Sequence, residues 1–431
     1  MQPTQRSLLI RGGRVVDPGR ELDDDLDVLI GEDGLIAEVA AGIEASEAEL
    51  LDATGKVVTP GLIDIHVHLR DPGQEYKEDI RSGARAAAAG GFTAVACMAN
   101  TVPVNDSGSV TEHIVGEARR HGFARVYPVG AVSKGLRGEE LAEVGDMVAA
   151  GAVGISDDGR PVAHPELMRR ALLFARHFDL PVVQHAQDME LSGDGVMHEG
   201  AVSARFGVAG IPAAAEDVMV ARDLLLAEDT GGRYHVQHLS SARALDLIRA
   251  AKQRGVAVTC EVTPHHLLLT EEAVEEQGLS PDTKMNPPLR SERDRRALVE
   301  GIADGSIDCI ASDHAPHHPD EKELDFVDAP FGIIGLETTL SLCLDRLVRS
   351  GLISLSRLIA LLSSEPARVM GLPGGSLAPG SPGDVTLLDL EREVVVDARR
   401  FESKSRNTPF QGWRLIGAPA GTVVGGRVIR L

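Results

Sequence analysis

The chain has 431 residues, enough for one large α/β barrel or two to three ordinary domains. Its 43 Lys plus Arg against 65 Asp plus Glu give a formal charge of −22, which argues against nucleic acid or an anionic membrane as partner. No apolar run approaches the roughly 20 residues that span a bilayer, and Met1 to Arg6 is polar without the layout of a secretory signal, so the expected compartment is the cytoplasm.

Residues 7 to 59 alternate short strand-like runs with turns. These are Ser7-Leu-Leu-Ile-Arg-Gly-Gly-Arg-Val-Val, Asp25-Leu-Asp-Val-Leu-Ile-Gly and Gly55-Lys-Val-Val-Thr-Pro, punctuated by Gly, Pro and Asp. The texture returns at the other end in Gly383-Asp-Val-Thr-Leu-Leu-Asp-Leu, Glu393-Val-Val-Val-Asp and Gly421-Thr-Val-Val-Gly-Gly-Arg-Val-Ile-Arg. Both ends, 1–59 and 371–431, are expected to build one small β domain around a continuous middle, 60–370, although two separate caps fit the pattern equally.

In that middle, short apolar strands alternate with longer helical segments, the signature of a parallel sheet with crossover helices. Strands are predicted at 61–69, 93–99, 125–132, 153–158, 181–186, 234–239, 257–264 and 307–313. Helices are predicted at 76–89, 110–121, 166–178, 213–227, 242–254 and 293–304. Eight strands suggest a (β/α)8 TIM barrel. An open doubly wound sheet is the alternative, but no Gly-x-Gly-x-x-Gly follows the first strand. Cys97, Cys260, Cys309 and Cys343 are widely spaced and three lie in apolar runs, so they read as small buried hydrophobes, not zinc ligands.

A barrel concentrates its chemistry at strand C-termini, and the chain puts His and Asp there. Strand one carries His66 and His68 on one face. Asp157-Asp158, Gln184-His185, Gln237-His238 and Asp313-His314 end strands four, five, six and eight. Imidazole and carboxylate without thiolate suit Zn²⁺, with Mn²⁺, Fe²⁺ or Co²⁺ also compatible. Four His and two Asp exceed the needs of one four-coordinate ion, which favours a binuclear centre.

The chain resembles the amidohydrolase superfamily, and within it the class I dihydroorotases, across essentially its whole length. The resemblance rests on Pro60-Gly-Leu-Ile-Asp-Ile-His-Val-His-Leu-Arg-Asp-Pro-Gly, Met98-Ala-Asn-Thr, Asp157-Asp-Gly, Gln237-His-Leu-Ser, Thr263-Pro-His-His-Leu, Met285-Asn-Pro-Pro-Leu-Arg, Ser312-Asp-His-Ala-Pro-His and Phe331-Gly-Ile-Ile-Gly-Leu-Glu-Thr. It implies two zinc ions per subunit. His66, His68 and Asp313 would hold one and His185 and His238 the other, with Asp158 bridging and Asp157 as the fallback. Relatives often bridge with a carboxylated lysine at the end of strand four, where this chain has none; Lys134, after strand three, is expected to lie on the surface or behind the ligands.

For substrate, the resemblance points to His68, Arg70, Asn100, Asn286, His317 and the backbone at Phe331 and Gly332. Arg70 beside the metals could grip a carboxylate bidentately. His265 and His266 are expected to orient neighbours, and Ala315 to Phe331 reads as a mobile loop or a plain crossover.

The implied reaction is the reversible interconversion of N-carbamoyl-L-aspartate and L-dihydroorotate in pyrimidine (UMP) synthesis. Asp313 would shuttle the proton of a metal-activated hydroxide. Two alternatives stand beside it: another cyclic amidase, such as a dihydropyrimidinase or allantoinase, and a non-catalytic partner of aspartate transcarbamoylase. A homodimer and a complex with that transcarbamoylase are the assemblies considered.

Overall fold

The computed structural model describes residues 6–431, so the reading of Met1 to Gln5 lies outside the described residues. The chain opens with β1 (Leu8–Asp17), β2 (Leu22–Ile30), β3 (Ile36–Ala40), β4 (Glu49–Asp52) and β5 (Val57–Pro60). The middle carries β6 (Leu62–Val67), β7 (Phe92–Cys97), β8 (Arg125–Pro128), β9 (Pro181–Gln184), the short pair β10 (Met197–His198) and β11 (Gly210–Ile211), then β12 (Arg233–Val236), β13 (Val258–Val262) and β14 (Cys309–Ile310). The chain ends with β15 (Val385–Val395), β16 (Arg414–Val424) and β17 (Arg427–Val428).

Strands from the two ends share one sheet in the order β17-β16-β15-β5-β1-β2-β3, with β4 against β1. β5 is the seam, parallel to β1 on one side and antiparallel to β15 on the other. Residues such as Val15, Val28, Ile30, Val58, Val385 and Val423 are buried together beneath it. Burial of this kind contributes on the order of 1.5–3 kcal/mol per aliphatic side chain.

In the middle every pairing is parallel. β6 joins β7 and β7 joins β8; β9 joins β12, β12 joins β13 and β13 joins β14. Between these two groups Ile155 bridges Gly130 and Val182, and at the far side His314 bridges Val67. The predicted strand at 153–158 is therefore reduced to bridges through Ile155, and the predicted strand at 307–313 forms a ladder only at Cys309–Ile310. Such strands are buried on both faces, which is why they read as continuous apolar runs. Ile63, Ile65, Ala94, Ala96, Met98, Val129, Val183, Cys309 and Ala311 pack inside the array.

The crossover helices fall where their apolar spacing puts them, and local chemistry sets their ends. Asp79 caps Ile80–Ala89 by accepting from the Ser82 amide at 2.7 Å, and Gly122 closes Gly108–His121 at a φ of 60° that few other residues tolerate. All four cysteines are buried and free. Among the described residues no helix is long and apolar enough to cross a membrane.

Candidate metal and substrate site

β6 delivers His66 and His68, both buried, to the end of the strand array where the other strand ends also open. Asp158 stands among four imidazoles: its carboxylate oxygens lie 3.6 Å from His66 Nε2, 3.4 Å from His68 Nε2, 3.6 Å from His185 Nδ1 and 3.7 Å from His238 Nε2. Asp313 Oδ1 is 3.5 Å from His66 Nε2 and 3.1 Å from His68 Nε2. Burial works against the Asp158 charge, yet the close imidazoles of His185, His238 and His66 hold its carboxyl well below the usual range. The same contest leaves Asp313 low, with His66 and His68 outweighing burial.

The outer nitrogens of three of these rings are already occupied. His66 Nδ1 meets Glu261 Oε1 at 2.6 Å, His68 Nδ1 meets Asn100 Oδ1 at 2.9 Å, and His185 Nε2 meets Gln187 Oε1 at 2.8 Å. Each acceptor fixes a tautomer and turns the other nitrogen's lone pair inward, as metal-ligating histidines require. Asp158 Oδ1 and His238 Nδ1 are buried without a hydrogen-bond partner among the described residues, which protein groups rarely accept. Donor atoms of His66, His68 and Asp313, and of His66, Asp158 and His238, each lie within 4.8 Å of one another. The donor set and its inward-facing lone pairs fit divalent metal ions.

Asp157 is turned away. Its Oδ1 accepts from the amides of Val132 at 2.8 Å and Ser133 at 2.9 Å, and the Ser133 hydroxyl donates to Oδ2. Lys134 is tied at the surface to Glu140 at 3.1 Å and Glu143 at 3.2 Å, so it does not reach the cluster.

One cavity of about 220 Å³ opens beside the cluster, and every residue named for substrate from the sequence lines it: His68, Arg70, Asn100, Asn286, His317, Phe331 and Gly332. Arg70 sits at a φ of 60° and donates through Nε to the Pro316 carbonyl at 3.2 Å. Asn100, whose Oδ1 is taken by His68, keeps its amide NH₂ to donate. His317 lines the cavity with both ring nitrogens engaged: Nε2 donates to the Phe331 carbonyl at 2.8 Å and Nδ1 faces Glu321 at 3.2 Å. Burial, then the Arg70 charge, pulls its pKa down to about 3, against the opposing pull of Glu321. Gly332, at a φ of 129°, lies where a Cβ would come 2.8 Å from the Ala315 Cβ, so only glycine fits.

The segment 315–331 is pinned along its length. Lys284 Nζ donates to the carbonyls of Val327 and Ala329, Lys322 Nζ to those of Pro281 and Pro330, and Lys77 pairs with Glu321 at 2.9 Å. The crossover half of the sequence reading describes this geometry better than a free loop does.

Sequence reasoning passed over Glu261. It is fully buried on β13 and lies between His66 Nδ1 and His235 Nε2, the latter at 3.2 Å. Burial pushes its carboxyl up, and His66 and His235 more than offset that to hold it at about 2. The available signal was a lone acid in the apolar run Val258-Thr-Cys-Glu-Val-Thr. Of the neighbouring pair, His266 is held by Thr263 Oγ1 at 2.7 Å and the Pro287 carbonyl at 3.0 Å, whereas His265 is buried with Nε2 unpartnered among the described residues.

Comparison with known proteins places this geometry in a family. Residues 55–244 match the model of the family described as Dihydro-orotase-like. A protein named Dihydroorotase from Syntrophotalea carbinolica is 56% identical over 421 residues, covering 98% of both chains. The chain belongs to the dihydroorotase family. A second Dihydroorotase, from Citrifermentans bemidjiense, is 52% identical over 424 residues, covering 98% of this chain and 99% of the relative. Among solved structures, L-hydantoinase (dihydropyrimidinase) from Arthrobacter aurescens superposes with a TM-score of 0.86 at 28% identity, covering 99% of this chain and 96% of the other. The dihydroorotase family chain thus shares an α/β architecture with hydantoinases while its sequence lies much nearer to the dihydroorotases.

Proposed function

We propose that this chain catalyses the reversible cyclisation of N-carbamoyl-L-aspartate to L-dihydroorotate. The observation that carries the reading is the 56% identity, over 98% of both chains, to a protein named Dihydroorotase. In this reading the parallel segments from β6 to β14, joined through Ile155 and His314, form a closed (β/α)8 barrel spanning 60–370. The paired ends, 1–59 and 371–431, make a small β domain.

His66, His68 and Asp313 would hold one zinc ion and His185 and His238 a second, with Asp158 between them. When bound, such ions polarise a carbonyl and lower the pKa of a water molecule. In the hydrolytic direction, Asp313 takes a proton from the attacking water and returns it to the ring nitrogen as the carbon–nitrogen bond breaks. The water's oxygen ends in the new carboxylate, and its second proton leaves to solvent. Arg70 and the Asn100 amide face the cavity and hold the substrate carboxylate, so that binding positions the ring carbonyl. Glu261, Asn100 and Gln187 keep the histidine rings in register.

Elemental analysis of the purified protein, combined with a dihydroorotate hydrolysis assay before and after chelation, tests the reading. Zinc near two per chain and activity lost with the metal are expected; full activity in metal-free protein would end it. The fold shared with a hydantoinase keeps a second reading, cyclic amidase of another substrate. Faster turnover of hydantoin, dihydrouracil or allantoin than of dihydroorotate would favour it. All six ligand candidates are present, which disfavours a non-catalytic partner of aspartate transcarbamoylase. Gel filtration with and without that enzyme tests association, and without it tests a homodimer.

A further inference from the structure

A second cavity, of about 530 Å³, lies between the helix Gly108–His121, the strand β8, the end of the helix Val144–Ala150 and the turn after β16. Its floor is apolar, including Val115, Ala118, Val126 and Val153. Its rim carries Arg119, Arg125 and Arg427, and no acidic residue among the described residues lines it, in a chain whose acids outnumber its bases 65 to 43. Arg125 is answered by Asp384 through two bonds of 2.6 and 3.0 Å. Among the described residues the Arg427 side chain meets only the Gly122 carbonyl. Arg119, exposed on the last turn of its helix, has no hydrogen-bond or ion-pair partner among the described residues. Two positive charges without a carboxylate partner among the described residues therefore face a hollow that is apolar at its base. The half-buried Tyr127 lines the same hollow, and its hydroxyl has no partner among the described residues.

We propose that this cavity binds a small organic anion, a planar ring bearing a phosphate or carboxylate, with the ring on the apolar floor and the charge between Arg119 and Arg427. The volume falls within the usual 300–1,000 Å³ range of small-molecule sites, and few convergent polar groups on an apolar lining are the usual composition of one. Guanidinium groups suit both head groups through bidentate hydrogen bonds. The site is distinct from the cluster cavity, with which it shares no lining residue. It is nevertheless connected to it: β8 leads through Gly130 to the Val132 and Ser133 amides that hold Asp157, beside Asp158. Val153 leads through Ile155 to the same pair.

Calorimetric titration of the full chain tests this with adenosine and uridine 5′-monophosphates for a phosphate head and benzoate for a carboxylate head. Uridine, adenosine and inorganic phosphate serve as half-ligands. Binding of at least one ring-plus-anion probe is expected in the millimolar range or tighter, with each half-ligand at least tenfold weaker. The surface variant Arg119→Glu should weaken it tenfold or more, and Ala150→Trp, which fills the hollow without touching a charge, should abolish it. Both variants should keep the parent's circular dichroism and dihydroorotate turnover. No binding of any probe, nucleosides binding as well as nucleotides, or binding unchanged in both variants would each overturn the proposal.

Discussion

The Nδ1 of His66 lies 2.6 Å from Oε1 of Glu261, a buried contact between residues 195 positions apart. It decides which nitrogen of His66 faces Asp158 and Asp313. Glu261→Gln keeps the shape but removes the charge that favours the required tautomer. Zinc affinity should fall about 10–100-fold, read by competition with a chromophoric chelator. Unchanged affinity would show that the ring is held by packing alone.

Asp158 and Asp157 are neighbours with opposite surroundings. Asp158→Asn should reduce bound metal sharply while leaving folding intact. Asp157→Asn should instead lower thermal stability, because its oxygens serve two amides and a hydroxyl. Metal content and melting temperature, measured on both variants, separate the two; the reverse pattern would exchange their roles.

Asp313→Ala should keep substantial dihydroorotate binding and lose turnover by several orders of magnitude, since the proposed mechanism runs both proton transfers through this one carboxylate. Retained turnover would remove it from the proton path.

Arg70→Ala should weaken dihydroorotate binding by roughly one to two orders of magnitude, the scale of a lost charge-assisted bidentate contact. Its effect should appear in KM more than in kcat. An unchanged KM would take it away from the substrate carboxylate.

Glu337 offers a pH effect far from the cluster. Its carboxyl accepts the amides of Glu402 at 3.0 Å and Ser403 at 3.1 Å, and burial, reinforced by Glu402 and Glu78, raises its pKa from 4.5 to about 7. Between these values the folded protein holds a proton that the unfolded chain has lost. Its contribution to stability is therefore whole below pH 4.5 and declines as pH rises through about 7. Glu337→Gln removes the titration but replaces one amide acceptor by an NH₂ group, so its stability relative to the parent should be higher at pH 8 than at pH 4 by an amount on the order of 2–3 kcal/mol. Denaturant titrations at the two pH values check the difference.

Much of this was legible in the chain. β6 announces itself as an apolar run with two histidines on one face, and the strand-end acids and imidazoles fall where parallel strands would gather them. What was hidden depended on partners remote in sequence. Nothing local distinguishes Asp157 from Asp158; the Val132 and Ser133 amides do. Glu261 looks like a defect in a core strand until His66 and His235 are set beside it. Charged Glu391-Arg-Glu made β15 read as two strands, whereas the chain carries one strand whose register shifts between Asp389 and Glu393. The segment 315–331 left a mobile loop and a plain crossover both open because two of its three lysine anchors, Lys77 and Lys284, lie outside it.

The seam at β5 bears on how the molecule is made. Residues 57–60 emerge early from the ribosome, yet one of their two neighbours, β15, begins only at Val385. During synthesis the N-terminal sheet must wait with one flank open, a ready template for stray strands. Chains cut short before Val385 should be conspicuous clients of chaperones and proteases even with every candidate metal ligand already translated.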